Sequence, residues 1–309
     1  ARCIAKDIGI DMFDDTTYQP QRLMFWASTS IDGEYVFKHS ENKLLDVDKV
    51  LSTYTDWKDV SQWPYSSRTV KNKERLLKKQ EDPTTKKGVI GAFCRTYNVR
   101  DVIEKFLPDV YSPCENQDRY TYINGSTSAG LVIYEGGKFA YSNHATDPSG
   151  GTLCNAFDLV RLHKFLDLDD NAKEGTPTVK LPSYLAMQDF ASKDKEVRLL
   201  MHKERTQSCT EDFKGIVESE ESNDDWILEL ATDSKNNNLP TIDNCLKIFK
   251  NDSRLKGKMA YNSFTRRHTA LGILPWDKTD EQREWTDTDD AGLRHYTESL
   301  YGIKSKASI

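Results

Sequence analysis

The sequence has little of what secreted, membrane-spanning or ATP-hydrolysing proteins depend on. Its 309 residues include six cysteines, and no two of them form a CxxC pair. Such sparse cysteines argue against a dense disulfide framework and are typical of reduced thiols in a cytoplasmic protein. No apolar run approaches the length that crosses a bilayer, and no Gly-x-x-x-x-Gly-Lys-Ser/Thr loop is present. We therefore expect a cytoplasmic protein without a membrane partner.

Charge is modest in sum and uneven along the chain. The formal net charge of −6 argues against a uniformly basic nucleic-acid-binding protein but allows local basic patches. Residues 68–87 carry eight basic and three acidic side chains, whereas residues 211–225 carry seven acids and one lysine. Such runs are usually solvated faces or linkers. We interpret the first as a basic linker and the second as part of a charged, partly mobile linker.

The middle of the chain has the clearest secondary-structure pattern. Apolar residues recur at helical spacing over residues 99–107, and residues 155–165 predict a second helix. Between them, RYTYI, LVIYE and KFAYS predict three strands, the last two joined by a Gly-Gly turn. Helix, strands and helix together predict a compact unit of α+β type.

Further elements are expected on either side of this unit. Residues 34–38 alternate as in a strand after an Asp-Gly turn, and residues 242–249 have helical spacing. A final helix should begin at Thr286, where an acidic residue three positions later completes a capping box. The chain starts inside a helical pattern without Met, so we expect a piece of a longer protein. We predict an α+β fold of several small domains, with segments 1–67, 68–87, 88–169, 170–225 and 226–309.

The run DDTTYQPQRLMFW contains a candidate catalytic group. Asp14 or Asp15 could offer a hard oxygen ligand to Mg²⁺, and Arg22 could hold phosphates with its guanidinium fork. A turn that leads into a core strand explains the same spacing. The run resembles the end of the catalytic domain of archaeo-eukaryotic-type primase-polymerases from phages and prophages. The resemblance implies that Asp14 (alternative Asp15) and Arg22 are catalytic, with Mg²⁺ or Mn²⁺ as cofactor and nucleoside triphosphates as substrates of the parent protein.

A candidate metal site lies in the middle unit. This unit contains, in order, YNVRDVIEKFLPDVYSPC, RYTYI, KFAYSNHA and NAFDLV. The order of these elements resembles that in the zinc-binding domain of bacterial primases. By this resemblance Cys114 corresponds to the first zinc ligand and His144 lies near the fourth, whereas Gln117 stands where a His is expected. Cys154 has no counterpart in the family and is a further possible ligand. A structural zinc site needs four N or S ligands, and these are three. We therefore favour a zinc-ribbon-like module that keeps the shape without the metal, with a zinc site as the alternative.

Aromatic and basic residues of the predicted strands are candidates for nucleic-acid binding. Unpaired bases stack on aromatic rings while cations contact phosphate, and strand alternation allows only some of these residues to be exposed together. Core packing explains the remaining aromatics. The candidates, with two arginines near the C-terminus, are Arg119, Tyr120, Tyr122, Tyr134, Lys138, Arg161, Arg266 and Arg267.

The C-terminal part of the chain contains the runs LPTIDNCLKIFKNDSRLKGKMAYNSFTRRH and WTDTDDAGLRHYTESLYGI. Together they resemble the segment before the helicase domain in virulence-associated protein E-like proteins. The resemblance implies a mostly helical pre-helicase domain in a DNA primase-polymerase coupled to a helicase, working in a bacterial host or a phage-infected cell. Its partners would be single-stranded DNA and further copies of the chain, through the helicase part. The alternative is a non-catalytic module that binds single-stranded DNA and oligomerises. We expect the isolated chain to be inactive because the family's other metal ligands would precede residue 1.

Overall fold

The computed structural model describes residues 2–11, 28–212, 224–233 and 237–303. These residues form ten α-helices and two antiparallel sheets, which confirms the predicted α+β class. Within these ranges, no helix combines the length and the apolar character needed to cross a membrane. The helices are α1 (Arg2–Asp7), α2 (Val47–Leu51), α3 (Ser67–Lys79), α4 (Gly88–Thr96), α5 (Val99–Phe106), α6 (Ala156–Lys164), α7 (Pro182–Lys193), α8 (Lys195–Asp212), α9 (Ile242–Asn251) and α10 (Asp287–Tyr301).

The strands divide into a five-stranded and a three-stranded sheet, each with its strands in chain order. The three strands predicted in the middle of the chain are confirmed at Arg119–Tyr122, Leu131–Tyr134 and Phe139–Ser142, and each sheet also contains at least one short strand that the sequence pattern did not predict. The strands are β1 (Tyr111–Pro113), β2 (Arg119–Tyr122), β3 (Leu131–Tyr134), β4 (Phe139–Ser142) and β5 (Leu153–Cys154), then β6 (Met259–Asn262), β7 (Arg267–Leu271) and β8 (Gln282–Glu284).

Contacts divide the chain into two compact units, each assembled from two separate stretches. Unit 1 comprises residues 1–82 and 99–155, and unit 2 comprises residues 83–98 and 156–309. These limits differ from the predicted segments, because the stretch expected as one module at 88–169 gives its middle to unit 1 and both ends to unit 2. The physical reason is that α4 packs against α7 and α8, and that α6 packs against α4 and α7.

The five-stranded sheet of unit 1 has one buried face. Tyr120, Leu131 and Ser142 are aligned across β2, β3 and β4, and all three side chains are buried. Directly opposite residues of an antiparallel pair share a face. Arg119, Val132 and Tyr141 are aligned in the same way, so they lie on the other, less buried face.

One prediction for the first part of the chain is wrong, and a second range has structure that the sequence analysis did not predict. Residues 34–38 form no strand, although the turn before them is present, with the Gly33 amide donating to the Ser30 carbonyl at 3.0 Å. Tyr35, Val36 and Phe37 are exposed. This alternating segment therefore pairs with no other strand among the described residues. The range expected as a linker contains the 13-residue helix α3, whose first turn is capped by the Ser66 hydroxyl, which accepts from the Thr69 amide. Its many lysines and arginines are good helix formers on an exposed surface.

The C-terminal part of unit 2 combines helices with the small sheet, so the expectation of a mostly helical domain is incomplete. Helices α9 and α10 confirm the two predicted ones, and the capping box between Thr286 and Asp289 is present. Two tyrosines at the end of α10, Tyr296 and Tyr301, donate hydrogen bonds of 2.6 and 2.7 Å to the buried carboxylate of Asp252. The apolar cluster around them contains Ile227, Leu230, Ile248, Leu255, Leu300 and Ile303.

Candidate nucleic-acid interface

The less buried face of the unit 1 sheet carries a cluster of cations and tyrosines. Arg119 of β2 and Tyr141 of β4 lie on this face through their shared alignment with Val132. Tyr134 follows Val132 by two residues and therefore points to the same side of the pleat. Each of these four side chains is partly exposed.

Lys73 of α3 completes this cluster from outside the sheet. Its Nζ lies 4.6 Å from the ring centroid of Tyr65 and 4.9 Å from that of Tyr141. The same ammonium donates a hydrogen bond of 3.2 Å to Oδ1 of Asn143, just beyond β4. Leu76 and Leu77 of α3 line the surface beside it together with Tyr134 and Tyr141. One cation is thus held between two aromatic rings with its stem against apolar side chains.

The electrostatics of the cluster are those of a positive site at the protein surface. Burial, followed by repulsion from Arg119 and Arg2, lowers the pKa of Lys73 to about 8. The Arg2 guanidinium lies 5.4 Å from the centroid of the Tyr65 ring. A carboxylate, that of Asp59, interacts electrostatically with Arg119. Among the described residues named here, three cations outnumber this carboxylate, so the cluster is positive and would attract an approaching anion.

The tyrosines of the cluster retain hydrogen-bonding capacity. The Tyr65 hydroxyl is buried and has no hydrogen-bond partner among the described residues. Burial raises the pKa values of Tyr65, Tyr134 and Tyr141, so these hydroxyls stay protonated at neutral pH. Buried polar groups are nearly always satisfied by protein, water or ligand. The unsatisfied hydroxyl is therefore consistent with a ligand or water at this place.

The structure brings together only some of the predicted nucleic-acid-binding residues. Arg119 and Tyr134 share the exposed face, but Tyr120 lies on the opposite face, where 7% of its surface is exposed. Tyr122 also lies on that opposite face, with its ring against those of Tyr111 and His144. The two stacking candidates of β2 are therefore on the side of the sheet that faces the core.

Two further candidates are engaged in ion pairs. Lys138 donates to Asp82 at 2.5 Å, and both side chains are partly exposed. Arg161 belongs to unit 2, where it is 8% exposed. Its guanidinium donates a hydrogen bond of 3.0 Å to Ser183 and lies within 4.0 Å of the Asp169 carboxylate. Arg161 thus contributes to the packing of α6 against α7, because it lies on the buried side of helix α6.

Arg266 and Arg267 lie at the β6–β7 turn of unit 2, and both are exposed. Arg266 adopts a positive φ of 56°, and Arg267 pairs with Glu284 of β8. The turn also presents Phe264, which is 95% exposed, and Tyr261 of β6, which is 58% exposed. Exposed rings beside two arginines have the composition of a base-stacking element.

The three candidate zinc ligands have other partners. The His144 Nε2 accepts from the Tyr122 amide at 3.2 Å, and its Nδ1 lies 2.8 Å from the Thr127 hydroxyl. The Cys114 and Cys154 sulfurs lie close to the Thr121 hydroxyl and the Thr152 carbonyl respectively. The described part of the chain contains no group of three His, Cys, Asp or Glu side chains placed to hold a metal ion. The zinc assignment therefore depends on the sequence resemblance alone.

The predicted catalytic residues Asp14, its alternative Asp15, and Arg22 lie outside the described residues. Conversely, Lys73 and Tyr65 belong to the interface although the sequence pattern did not single them out. Lys73 was part of a basic run interpreted as a linker. A helical reading of that run would have placed Lys73, Leu76 and Leu77 on one side of the helix, and this was the available signal.

Fold and site together define an α+β protein with a positive, tyrosine-rich sheet face. Its N-terminal stretch, residues 1–66, matches the family model of the VapE N-terminal domain. The match supports the predicted likeness to virulence-associated protein E, but at residues 1–66 of the 309-residue chain and not at the C-terminal run for which it was predicted. Searches of curated proteins and of solved structures found no significant match.

Proposed function

We propose that this chain is part of a mobile-element DNA replication protein, a DNA primase-polymerase coupled to a helicase, and that its unit 1 binds single-stranded DNA. The observation that carries the DNA-binding part is the position of Lys73 between Tyr65 and Tyr141, beside Arg119 and Tyr134. The VapE N-terminal match at residues 1–66 supports the wider context.

Single-stranded DNA fits this surface better than duplex DNA does. Proteins that bind single strands combine cations along the phosphate backbone with aromatic rings on which unpaired bases stack. Tyr134 and Tyr141 are partly exposed, and Lys73 and Arg119 supply the charge. The paired bases of a duplex are stacked on each other and cannot use the rings. In unit 2, the β6–β7 turn with Phe264, Arg266 and Arg267 offers a second surface of the same composition.

The catalytic part of the proposal rests on the resemblance of residues 10–30 to primase-polymerases. Asp14, with Asp15 as the alternative, would be a ligand of Mg²⁺ or Mn²⁺, and Arg22 would hold the triphosphate of a nucleotide. Two divalent ions activate the attacking hydroxyl and neutralise the phosphates in such reactions. We expect no primer synthesis by the chain alone, because one carboxylate does not build a two-metal site. Primer synthesis by these 309 residues would contradict this part.

The DNA-binding proposal is tested by fluorescence anisotropy with a labelled oligo(dT) strand at low salt. We expect binding that weakens steeply as salt rises, because counterions are released from the phosphates. Lys73→Ala should weaken binding about tenfold. The matched control is Lys78→Ala, which removes an exposed lysine from the same helix, and it should change the affinity less than about twofold. Absence of binding at low salt would refute the proposal.

A further inference from the structure

Unit 2 contains a cavity of about 620 Å³ beside helix α8. Its walls come from α7 and α8, from the start of α4, and from Ile227, Asn237 and Asn238. Pockets that bind small molecules have volumes of roughly 300–1,000 Å³. The cavity is therefore large enough for a ligand the size of a nucleotide, and it belongs to a different unit from the proposed DNA interface.

The α8 side of the cavity is basic. Arg198, His202 and Arg205 all line it, because positions i, i+4 and i+7 lie on one face of a helix. They span about 10 Å along the axis, at 1.5 Å per residue. The acid of the lining, Asp189, is paired with Lys193 at 2.7 Å. The positive charge along α8 is thus largely uncompensated by the lining residues.

The two arginines differ in what holds them. The Arg198 guanidinium donates to the carbonyls of Leu228 and Ile227 at 3.2 and 3.3 Å, which fixes the planar group at the wall. Arg205 is partly buried and makes no hydrogen bond or ion pair with any of the described residues. An arginine has five N–H donors in a fork that matches phosphate oxygens. Within the described residues, the donors of Arg205 are therefore open to a ligand.

The rest of the wall is largely apolar and neutral, although one of its residues, Met201, also belongs to α8. Val89, Leu185 and Met201 line the cavity together with the amide side chain of Gln188. A phosphate alone would leave this wall unused, whereas a base and sugar would cover apolar surface and reach the amide. Ligand sites typically combine apolar walls with a few polar groups that fix orientation.

We propose that this cavity binds a nucleotide, with its phosphates on Arg198 and Arg205 and its nucleoside against Val89, Leu185 and Met201. Its lining residues are different from those of the proposed DNA-binding face, which belong to unit 1. The site does not depend on the proposed function, because all of its lining residues belong to unit 2.

Isothermal titration calorimetry of the 309-residue chain tests the proposal, with ATP, GTP, pyrophosphate and inorganic phosphate as probes. The nucleotides should bind most tightly, pyrophosphate more weakly and phosphate most weakly. Arg205→Ala should weaken ATP binding about tenfold, the loss of a charge-assisted hydrogen bond. Gln188→Glu, a change of similar size that adds a negative charge to the cavity, should weaken it at least as much.

The matched control is Lys203→Ala, which removes an exposed cation from α8 outside the lining and should leave ATP binding unchanged. Oligonucleotide binding should be unchanged in Arg205→Ala, which separates this site from the DNA interface. The proposal is overturned if ATP does not bind at millimolar concentration, or if Arg205→Ala and Gln188→Glu, folded by circular dichroism, bind it like wild type. Equal affinity for pyrophosphate and ATP would overturn the nucleoside contact.

Discussion

Arg283 and Asp289 are joined by two parallel hydrogen bonds, from Nη1 to Oδ2 and from Nη2 to Oδ1, each 2.6 Å long. Asp289 is 1% exposed. Its carboxylate also accepts from the Thr286 amide at 2.9 Å and from Trp276 Nε1 at 3.0 Å. One buried carboxylate thus connects strand β8, the first turn of α10 and the loop between β7 and β8, which contains Trp276.

Replacing Arg283 by Met should destabilise the protein because it leaves the Asp289 carboxylate buried without its counter-charge. Breaking a buried ion pair costs about 3–5 kcal/mol, and the partial exposure of Arg283 and the remaining donors reduce this to about 2 kcal/mol. Urea denaturation measures the free energy of unfolding.

The control for this variant is Arg267→Met in the neighbouring strand. Arg267 pairs with Glu284 at the surface, where the two side chains are 66% and 55% exposed. Exposed pairs contribute about 0–1 kcal/mol, so the control should change the unfolding free energy little. Equal losses in the two variants would show that burial of Asp289 is unimportant.

Stability should fall in acid. Hydrogen bonds from Arg283, then from Trp276 and Thr286, hold the pKa of Asp289 well below its usual range, and those from Thr279 lower the pKa of Asp277. A carboxyl with a lowered pKa stabilises the folded state above its unfolded pKa, about 3.9, and loses that contribution as the pH falls further. Urea midpoints between pH 6 and pH 3 should decrease, and Asp289→Asn should flatten this decrease.

DNA binding should weaken as the pH rises from 7 to 9. The pKa of Lys73 is lowered to about 8, so its ammonium loses the proton in this range and one phosphate contact loses its charge. Anisotropy titrations across this range measure the affinity. Lys73→Arg keeps a permanent charge and should be insensitive to pH; a wild-type affinity that is constant to pH 9 would argue against a role for Lys73.

The Tyr111 hydroxyl should contribute to the stability of unit 1. It is buried and donates to Asp147 at 2.9 Å, and Asp147 is itself 5% exposed. Tyr111→Phe removes this donor, which should lower the unfolding free energy by about 1–2 kcal/mol. The same change at Tyr35, which is 57% exposed, should have an effect within about 0.5 kcal/mol.

Local pattern predicted several regular elements because their causes are local. Helical spacing located α5, α6 and α9, and a capping box located the start of α10. The alternation at residues 34–38 failed because a strand also needs a neighbour. The two-unit organisation was beyond local pattern, since the packing of α4 against α8 joins residues about a hundred positions apart.

The candidate site was predicted in part for the same reason. Strand alternation separates Arg119 and Tyr134 from Tyr120, but which face is buried depends on what packs against the sheet. Lys73 reaches the sheet from a helix that the sequence presented as a charged run. A surface assembled from distant segments leaves only a partial signal in any one of them, such as the helical spacing of Lys73, Leu76 and Leu77.

The division of each unit into two stretches has a consequence for synthesis on the ribosome. The peptide that forms α4 emerges before all of unit 1's sheet, yet its packing partners α6, α7 and α8 follow that sheet. The side chains of Phe93, Ala92 and Cys94 are buried in the folded protein. During synthesis they therefore remain solvent-exposed or chaperone-bound while the whole sheet is translated. Nascent chains arrested between residues 100 and 155 are where we expect this protein to aggregate first.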